Sequence, residues 1–250
     1  KNYLKVGDRV KPGDFLAKLE TAQLNIQLAQ AQAALAVTRA QLEKLLASAS
    51  AEEIQISQTK VKNSEIAFEE AKQDLADSRG DAINTLEDVY LKTYNSKNTV
   101  DLIQRTYFTG NDQQSLTIRE NRNELENRVS QIKSLLDGAK TNPTPENVDS
   151  ALAKIKTETT NISNILKIIR EVLEDQNYRN LVSSTDKSSL DTHRTNIVTA
   201  LTNVVNSQQS IISADSAVKS AEGQLQTAKD ELTLLTAPPR QLDIDLYQAQ

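Results

Sequence analysis

Apolar residues recur along the first third of the chain with the spacing of coiled-coil helices. After Thr21 they follow alternating steps of four and three residues, at Leu24, Leu28, Ala31, Leu35, Thr38, Leu42 and Leu45. Beyond an interruption at Ala47-Ser48-Ala49-Ser50, they recur every seven residues, at Ile54, Val61, Phe68 and Leu75. Ser50 and Glu53 have the spacing of a capping box, which favours a helix restart there. The pattern predicts an ascending coiled-coil arm over 21–79 with a kink near 47–53.

The middle of the chain, 80–209, loses the strict heptad and contains ordinary amphipathic segments between turn signals. These segments predict helices over roughly 82–108, 114–137, 145–175 and 187–235. Thr144 is the predicted N-cap of the third, with Pro145 at its first helical position. Because short loops join the four helices, we expect an inserted up-down helical bundle.

The end of the chain repeats the beginning at an offset of 190 residues. Apolar positions match in pairs, Leu28 with Val218, Ala31 with Ala221, Leu35 with Leu225, Leu42 with Leu232, Leu45 with Leu235 and Ile54 with Ile244. The interruption at Ser48-Ala49 coincides with Pro238-Pro239. We therefore expect a returning coiled-coil arm over 210–250 that kinks near 237–243, at the level of the first kink.

Residues 1–20 have a different pattern, in which short alternating runs are separated by turn residues. Tyr3 to Val6 and Phe15 to Glu20 are predicted strands. The residues between them form a turn motif made of Gly7, Asp8, Val10, Gly13 and Asp14. The pattern predicts a small β segment ahead of the first helix.

Composition excludes several classes of function. A net charge of -5 and a pI near 5.1 argue against a nucleic-acid surface. The chain has no Cys, and its one histidine, His193, lies in a polar stretch that predicts a surface position. The cluster Tyr90, Tyr94, Tyr107 and Phe108 is interpreted as bundle core rather than as a ligand pocket. We expect no enzyme activity, no cofactor and no metal.

Together these features resemble the membrane fusion protein family, the HlyD-type periplasmic adaptors. The segment from Val6 to Glu20 is similar to the first half of that family's lipoyl-like domain. Lipoyl- and biotin-carrying domains place a modified lysine after such a segment, whereas Glu20-Thr21-Ala22-Gln23 offers none and leads into the heptads. The resemblance implies a mainly α fold, a long coiled-coil hairpin with an inserted four-helix bundle, plus a small β half-lipoyl (barrel-sandwich) segment over 1–20. It also implies that the chain is truncated before the second lipoyl half.

The function implied by the resemblance is that of an adaptor in a bacterial efflux or secretion system. Its partners would be an inner-membrane transporter, ABC or proton-driven, other copies of itself in a ring or other homo-oligomer, and an outer-membrane channel. The protein would lie in the periplasm or on the extracytoplasmic face, anchored to the inner membrane by a segment outside this stretch. Arg39, Leu46 and Ser50 match the spacing of a motif with which many adaptors contact the channel.

Two other functions remain open on the sequence. The bundle over 80–209 lies outside the adaptor pattern, and its architecture is loosely similar to that of bacterial sensory bundles. It favours an extracytoplasmic sensor or ligand-binding module as one alternative. A purely structural coiled-coil scaffold is the other.

Overall fold

The computed structural model describes residues 6–14, 21–47 and 49–249. In this part of the chain the helices are α1 (Ala22–Ala47), α2 (Ala51–Tyr107), α3 (Gln113–Thr141), α4 (Pro145–Val172), α5 (Ser184–Thr236) and α6 (Gln241–Gln248). The chain divides into two compact units. We call Lys1–Asn63 with Gln226–Gln250 the terminal unit, and Ser64–Leu225 the bundle.

The bundle is built from antiparallel neighbouring helices, as its cross-helix hydrogen bonds show. Bonds between α2 and α5 join Thr85 to Ser207 and Thr99 to His193, so residue numbers rise on one helix as they fall on the other. The other neighbouring pairs are α2 with α3, α3 with α4, and α4 with α5, joined by Arg122–Asp101, Arg128–Glu158 and Arg170–Asp191. The topology is therefore up-down-up-down, with a continuous aliphatic interior.

Local caps fix where the bundle helices begin. The side chain of Asp112 accepts a hydrogen bond from the backbone N–H of Ser115 at the start of α3. The hydroxyl of Thr144 accepts from the N–H of Asn147, and Pro145 opens α4, as the sequence predicts. These side chains satisfy N–H groups that have no partner inside the helix.

Two helices continue past the ends that the sequence predicted, at residues 79 and 137. Helix α2 runs through Gly80, and α3 runs through Gly138 to Thr141. Glycine in a helix interior costs about 1 kcal/mol relative to alanine. Burial of Ala82 and Leu86 just after Gly80, and of Leu136 and Ala139 around Gly138, offsets that cost.

In the terminal unit, helices contact each other in two pairs. Helix α6 packs against α1. The first turns of α2 are joined to the last turns of α5 by the ion pair of Lys60 with Glu231. Helix α1 ends at Ala47 and α2 begins at Ala51, while α5 ends at Thr236 and α6 begins at Gln241.

The fold is mainly α, but the predicted β half-lipoyl segment is wrong. No strand occurs among residues 6–14, 21–47 and 49–249. Val6 and Val10 are fully exposed and 53% exposed, so the alternating pattern there buries no apolar surface, and no strand within the described ranges lies beside it. The rest of the first predicted strand, Tyr3 to Lys5, and all of Phe15 to Glu20 lie outside the described residues.

Candidate functional site

Helix α1 is a 26-residue helix without a single buried residue. From Thr21 to Thr38 it also carries no charged side chain, only Gln, Asn, Thr and apolar residues. A helix surface that remains in water normally bears charged residues opposite its apolar stripe. The surface of α1 is therefore suited to contact with other helices rather than to water.

Apolar side chains lie on two opposite sides of α1. Leu24, Leu28 and Leu35 are 56%, 56% and 46% exposed, and their spacing places them on one side, which we call the leucine face. Ile26 and Val37 are 59% and 58% exposed. They follow Leu24 and Leu35 by two residues, a rotation of about 200°, so they lie on the opposite side, the Ile/Val face. Ala33 and Ala40 share that side by spacing.

Helix α6 covers only part of the leucine face. Leu42 and Leu45, near the end of α1, are half-buried, as are Ile244 and Tyr247 of α6. Leu24, Leu28 and Leu35 continue the same side of α1 and remain exposed. A second helix packed along α1 is needed to cover them, and a third on the Ile/Val face.

The pairing of α2 with α5 in the terminal unit likewise leaves apolar residues outside. Ile54 and Val61 are half-buried and Ala228 is buried, so the predicted heptad positions do face the partner helix. Ile56 and Leu234, however, are 71% and 77% exposed. The exposed apolar residues of this unit therefore extend beyond α1.

The predicted contact motif extends from within α1, at Arg39, to the break before α2, at Ser50. Arg39 is exposed, and Leu46 is 51% exposed. Ser50 has a local role: its N–H donates to the carboxylate of Glu53, and its hydroxyl accepts from the N–H of Glu53. The backbone N–H of Ser50, followed by the Ser50 side chain, lowers the pKa of Glu53. Ser50 therefore caps α2, while Arg39 and Leu46 remain available to a partner.

The predicted turn motif near the N-terminus adopts two turns. Gly7 and Gly13 have φ angles of 107° and 104°, a left-handed region that disfavours side chains with a Cβ. The N–H of Asp14 donates to the carbonyl of Lys11, and the carboxylate of Asp14 accepts from the N–H of Lys11. Asp8 and Val10 lie between the two turns and are exposed.

His193 differs from its predicted surface position. It is half-buried between α5 and α2, where its Nε2 lies 2.9 Å from the hydroxyl of Thr99. Its Nδ1 is buried and has no hydrogen-bond partner among the described residues. Burial lowers the pKa of His193, so the imidazole is neutral at pH 7.

A charged cluster that the sequence did not reveal joins α2 to α3. Asp101, only 13% exposed, accepts from Arg122 at 2.5 Å and from Lys97 at 2.8 Å. Burial alone would raise the pKa of Asp101, but these two cations hold it below its ordinary value. The i,i+4 spacing of Lys97 and Asp101 was visible in the sequence, whereas the contact with Arg122 depends on the bundle packing.

The aromatic cluster divides between the core and the surface. Phe108 is fully buried and stacks on Tyr178, with ring centroids 4.3 Å apart. Tyr90 and Tyr107 pack against the core, while Tyr94 is 43% exposed. The Phe108–Tyr178 contact ties the loop after α2 to the loop before α5.

Hydrogen bonds strengthen that link between the loops. The hydroxyl of Tyr178 donates to Asp112, the N-cap of α3. The backbone N–H and hydroxyl of Ser115, followed by Tyr178, lower the pKa of Asp112 to about 2. Ser115 is only three residues from Asp112 in the chain, whereas Tyr178 is 66 residues away and reaches it through the packing of the two loops.

Neither a metal site nor a spanning segment is found in the described part of the chain. No three potential metal-ligating side chains converge among its His, Asp and Glu residues. None of its helices combines the length and apolar character needed to cross a bilayer. Comparison with protein-family models, with curated proteins and with solved structures finds no match. Function must therefore be inferred from the exposed faces themselves.

Proposed function

We propose that this chain is a structural subunit of an envelope transport assembly, an adaptor of the membrane fusion type that acts by helix packing. The observation that carries the proposal is α1, which is uncharged from Thr21 to Thr38, has no buried residue and is apolar on two opposite sides. Such a helix is suited to a position between two neighbours. The resemblance of the heptads to adaptor hairpins supports a role in transport.

The two faces of α1 differ in composition, which favours head-to-tail contact between copies. Leucines dominate one face, whereas the other carries Ile26, Ala33, Val37 and Ala40. When one face binds the other face of the next copy, the interface is heterologous, and repetition closes a ring if the rotation between copies permits. Several copies then present Ile56, Leu234 and Leu46 to a transporter or channel with added avidity.

The proposal is tested with one charge on each face of α1. Leu28→Glu disables the leucine face and Val37→Glu the Ile/Val face, while Gln32→Glu, placed between the faces, is the matched control. In light scattering coupled to size exclusion, we expect wild type and Gln32→Glu to form oligomers and each face variant to be monomeric. An equimolar mixture of the two face variants should form a heterodimer, because one intact pair of faces remains.

Other outcomes contradict specific parts of the proposal. If wild type is monomeric at tens of micromolar, the faces do not bind copies of this chain. If each face variant alone forms dimers, the contacts join like faces, and a head-to-tail ring is excluded. The transport role is tested in cells, where Leu28→Glu should reduce export by the associated pump and Gln32→Glu should not. Normal export with Leu28→Glu would contradict the transport role.

The bundle interior gives no support to the sensor alternative. Its buried polar side chains in the described residues are Thr93, Ser96, Ser115 and Thr159. Thr93, Ser96 and Thr159 donate to carbonyls of their own helices, and Ser115 bonds to Asp112. These four side chains are thus already paired, and the core cluster around them is aliphatic apart from Phe108.

A further inference from the structure

Three apolar pairs on α5 recur at intervals of seven residues. They are Ile197-Val198, Val204-Val205 and Ile211-Ile212. In each pair the first residue is buried in the bundle core, whereas Val198, Val205 and Ile212 are 54%, 41% and 58% exposed. Single exposed apolar residues are ordinary on a protein surface. Three at heptad spacing form a continuous ridge about 21 Å long, which we call the α5 ridge.

Charge is absent from the stretch of α5 that carries the ridge. From Thr195 to Ala214 the helix has no Asp, Glu, Lys or Arg. The residues beside the ridge include Thr199, Thr202, Asn206 and Gln209, all exposed. Because this stretch of α5 contributes no charged side chain, another helix can cover the ridge at little desolvation cost on the α5 side.

The ridge lies beside α4, and together they form a groove. Ile212, Ile211 and Gln208 of α5 line a cavity of about 290 Å³ with Asp149 and Leu152 of α4. This contact and the bond of Arg170 with Asp191 fix the antiparallel register of the two helices. In that register, Lys156 of α4 lies at the same level along the bundle as Val205 of α5. Lys167 of α4 lies one helical turn beyond the level of Val198.

The α4 border of the groove is basic. Asp149, Lys156 and Lys167 share one side of α4, because their spacings of seven and eleven residues return to nearly the same angle. Asp149 is engaged by Arg79 at 3.6 Å. Lys156 has no ion pair among the described residues, and the ion pair of Lys167 with Glu171 is long, 4.0 Å, between side chains 66% exposed. The two lysines are thus available to anionic groups of a ligand.

We propose that the α4–α5 groove binds an acidic amphipathic helix of a partner protein. Apolar side chains of that helix at heptad spacing would cover Val198, Val205 and Ile212, and its carboxylates would meet Lys156 and Lys167. Helix α1 does not suit this site, because it is uncharged from Thr21 to Thr38. The inference is independent of the proposed function and assigns a binding role to the bundle, which the adaptor resemblance leaves unexplained.

The test uses two stapled helical peptides, each with isoleucine at heptad spacing. One carries glutamate on both borders of the apolar face, and the other carries lysine at the same positions. Binding to the full chain is measured by fluorescence anisotropy. We expect the glutamate peptide to bind more tightly, and its affinity to fall with added salt because the lysines contribute.

Variants locate the binding on the groove. Val205→Ser should weaken binding of the glutamate peptide about tenfold, and Lys156→Gln should reduce the preference for glutamate over lysine. Leu102→Ser is the matched control, since Leu102 is 58% exposed on α2, away from the groove. Circular dichroism checks that all three variants remain folded. Leu28→Glu should bind the peptide normally, which separates this proposal from self-association.

Several results would overturn the proposal. Equal affinity for the two peptides, no binding of either, or equal effects of Val205→Ser and Leu102→Ser each exclude it. If Val205→Ser lowers the oligomeric state of the chain, the groove is occupied by a second copy instead.

Discussion

The terminal unit and the bundle use similar apolar spacing, yet only the bundle buries its apolar residues. Leu86, Ile103, Leu125, Ile155 and Leu166 are essentially inaccessible in the bundle. In the described part of the terminal unit, Ala228 is the one buried apolar residue. The difference lies in the number of neighbouring helices: each bundle helix has two adjacent partners, whereas α1 contacts the eight-residue α6 along part of one side. Heptad spacing thus predicts that a helix packs, but not whether its partner belongs to the same molecule.

The largest expected contrast between the units comes from removing a leucine. Leu166→Ala should lower the free energy of unfolding by about 3 kcal/mol, because it leaves a cavity in a packed core. Leu28→Ala should change it by less than about 0.5 kcal/mol in dilute solution, because Leu28 is already 56% exposed. Urea unfolding followed by circular dichroism measures both. A loss for Leu28→Ala as large as that for Leu166→Ala would mean that the leucine face is covered within one chain.

Breaking an ion pair should also lower the free energy of unfolding more in the bundle than in the terminal unit, but the difference should be smaller than for the leucines. Asp101→Asn should cost about 1–2 kcal/mol, since it weakens charge-assisted bonds from Arg122 and Lys97 in a partly buried site. Glu231→Gln should cost less than about 0.5 kcal/mol, because the side chains of Lys60 and Glu231 are 56% and 48% exposed. Urea midpoints at low and high salt provide the measurement. Equal losses of unfolding free energy for Asp101→Asn and Glu231→Gln would contradict the conclusion that burial strengthens the ion pairs of Asp101.

His193 should make the bundle sensitive to acid. Its folded-state pKa is lower than in the unfolded chain, so the unfolded chain binds the proton first as pH falls. Stability is therefore complete above about pH 6.5 and decreases as the pH drops from there towards the folded-state pKa. Thermal melts across pH 5–7.5 should show this slope in wild type and a flatter one in His193→Gln. A wild-type stability that rises on acidification through this window would reverse the sign and contradict the assignment.

The smallest effect should come from the cap at the start of α2. Ser50→Ala removes the hydroxyl that accepts from the N–H of Glu53. Because the first turns of α2 contribute little to buried surface, we expect faster local hydrogen exchange there and an unchanged global melting temperature. Thr59→Ala, a change at an exposed position about two and a half turns later, is the control. A lower melting temperature in Ser50→Ala alone would show that the break supports the whole unit.

The sequence predicted those features that depend on residues close together in the chain. Ile54, Val61, Phe68 and Leu75 are all half-buried at their predicted heptad positions. Thr144 and Pro145 begin α4 because their capping role needs only the next few residues.

Features that depend on distant residues were missed or predicted wrongly. Val6 and Val10 have strand-like alternation, but a strand also needs a neighbouring strand, which local alternation does not provide. His193 looked exposed because its neighbours are polar, and only the packing of α5 on α2 brings it to Thr99. Tyr178 follows α4 in an unremarkable polar stretch, and its stacking on Phe108 depends on the meeting of two loops.

The candidate site shows the same division. The uncharged stretch of α1 and the apolar pairs of α5 can be read from the sequence. Only the structure shows which of these apolar residues are exposed. Spacing alone predicted a single apolar face on α1, because leucines occupy most of the heptad positions. It assigned no role to Ile26 and Val37. Arg39, Leu46 and Ser50 were grouped by spacing, whereas the structure gives Ser50 a capping role of its own.

The two-sided α1 has a consequence for any measurement made on the purified chain. If copies cover its faces, their association is governed by mass action, and the stability of the terminal unit rises with protein concentration. The bundle buries its core within one chain, so its stability does not depend on protein concentration. Two melting transitions should then respond differently to dilution: the transition of the terminal unit should shift to lower temperature, while that of the bundle stays in place.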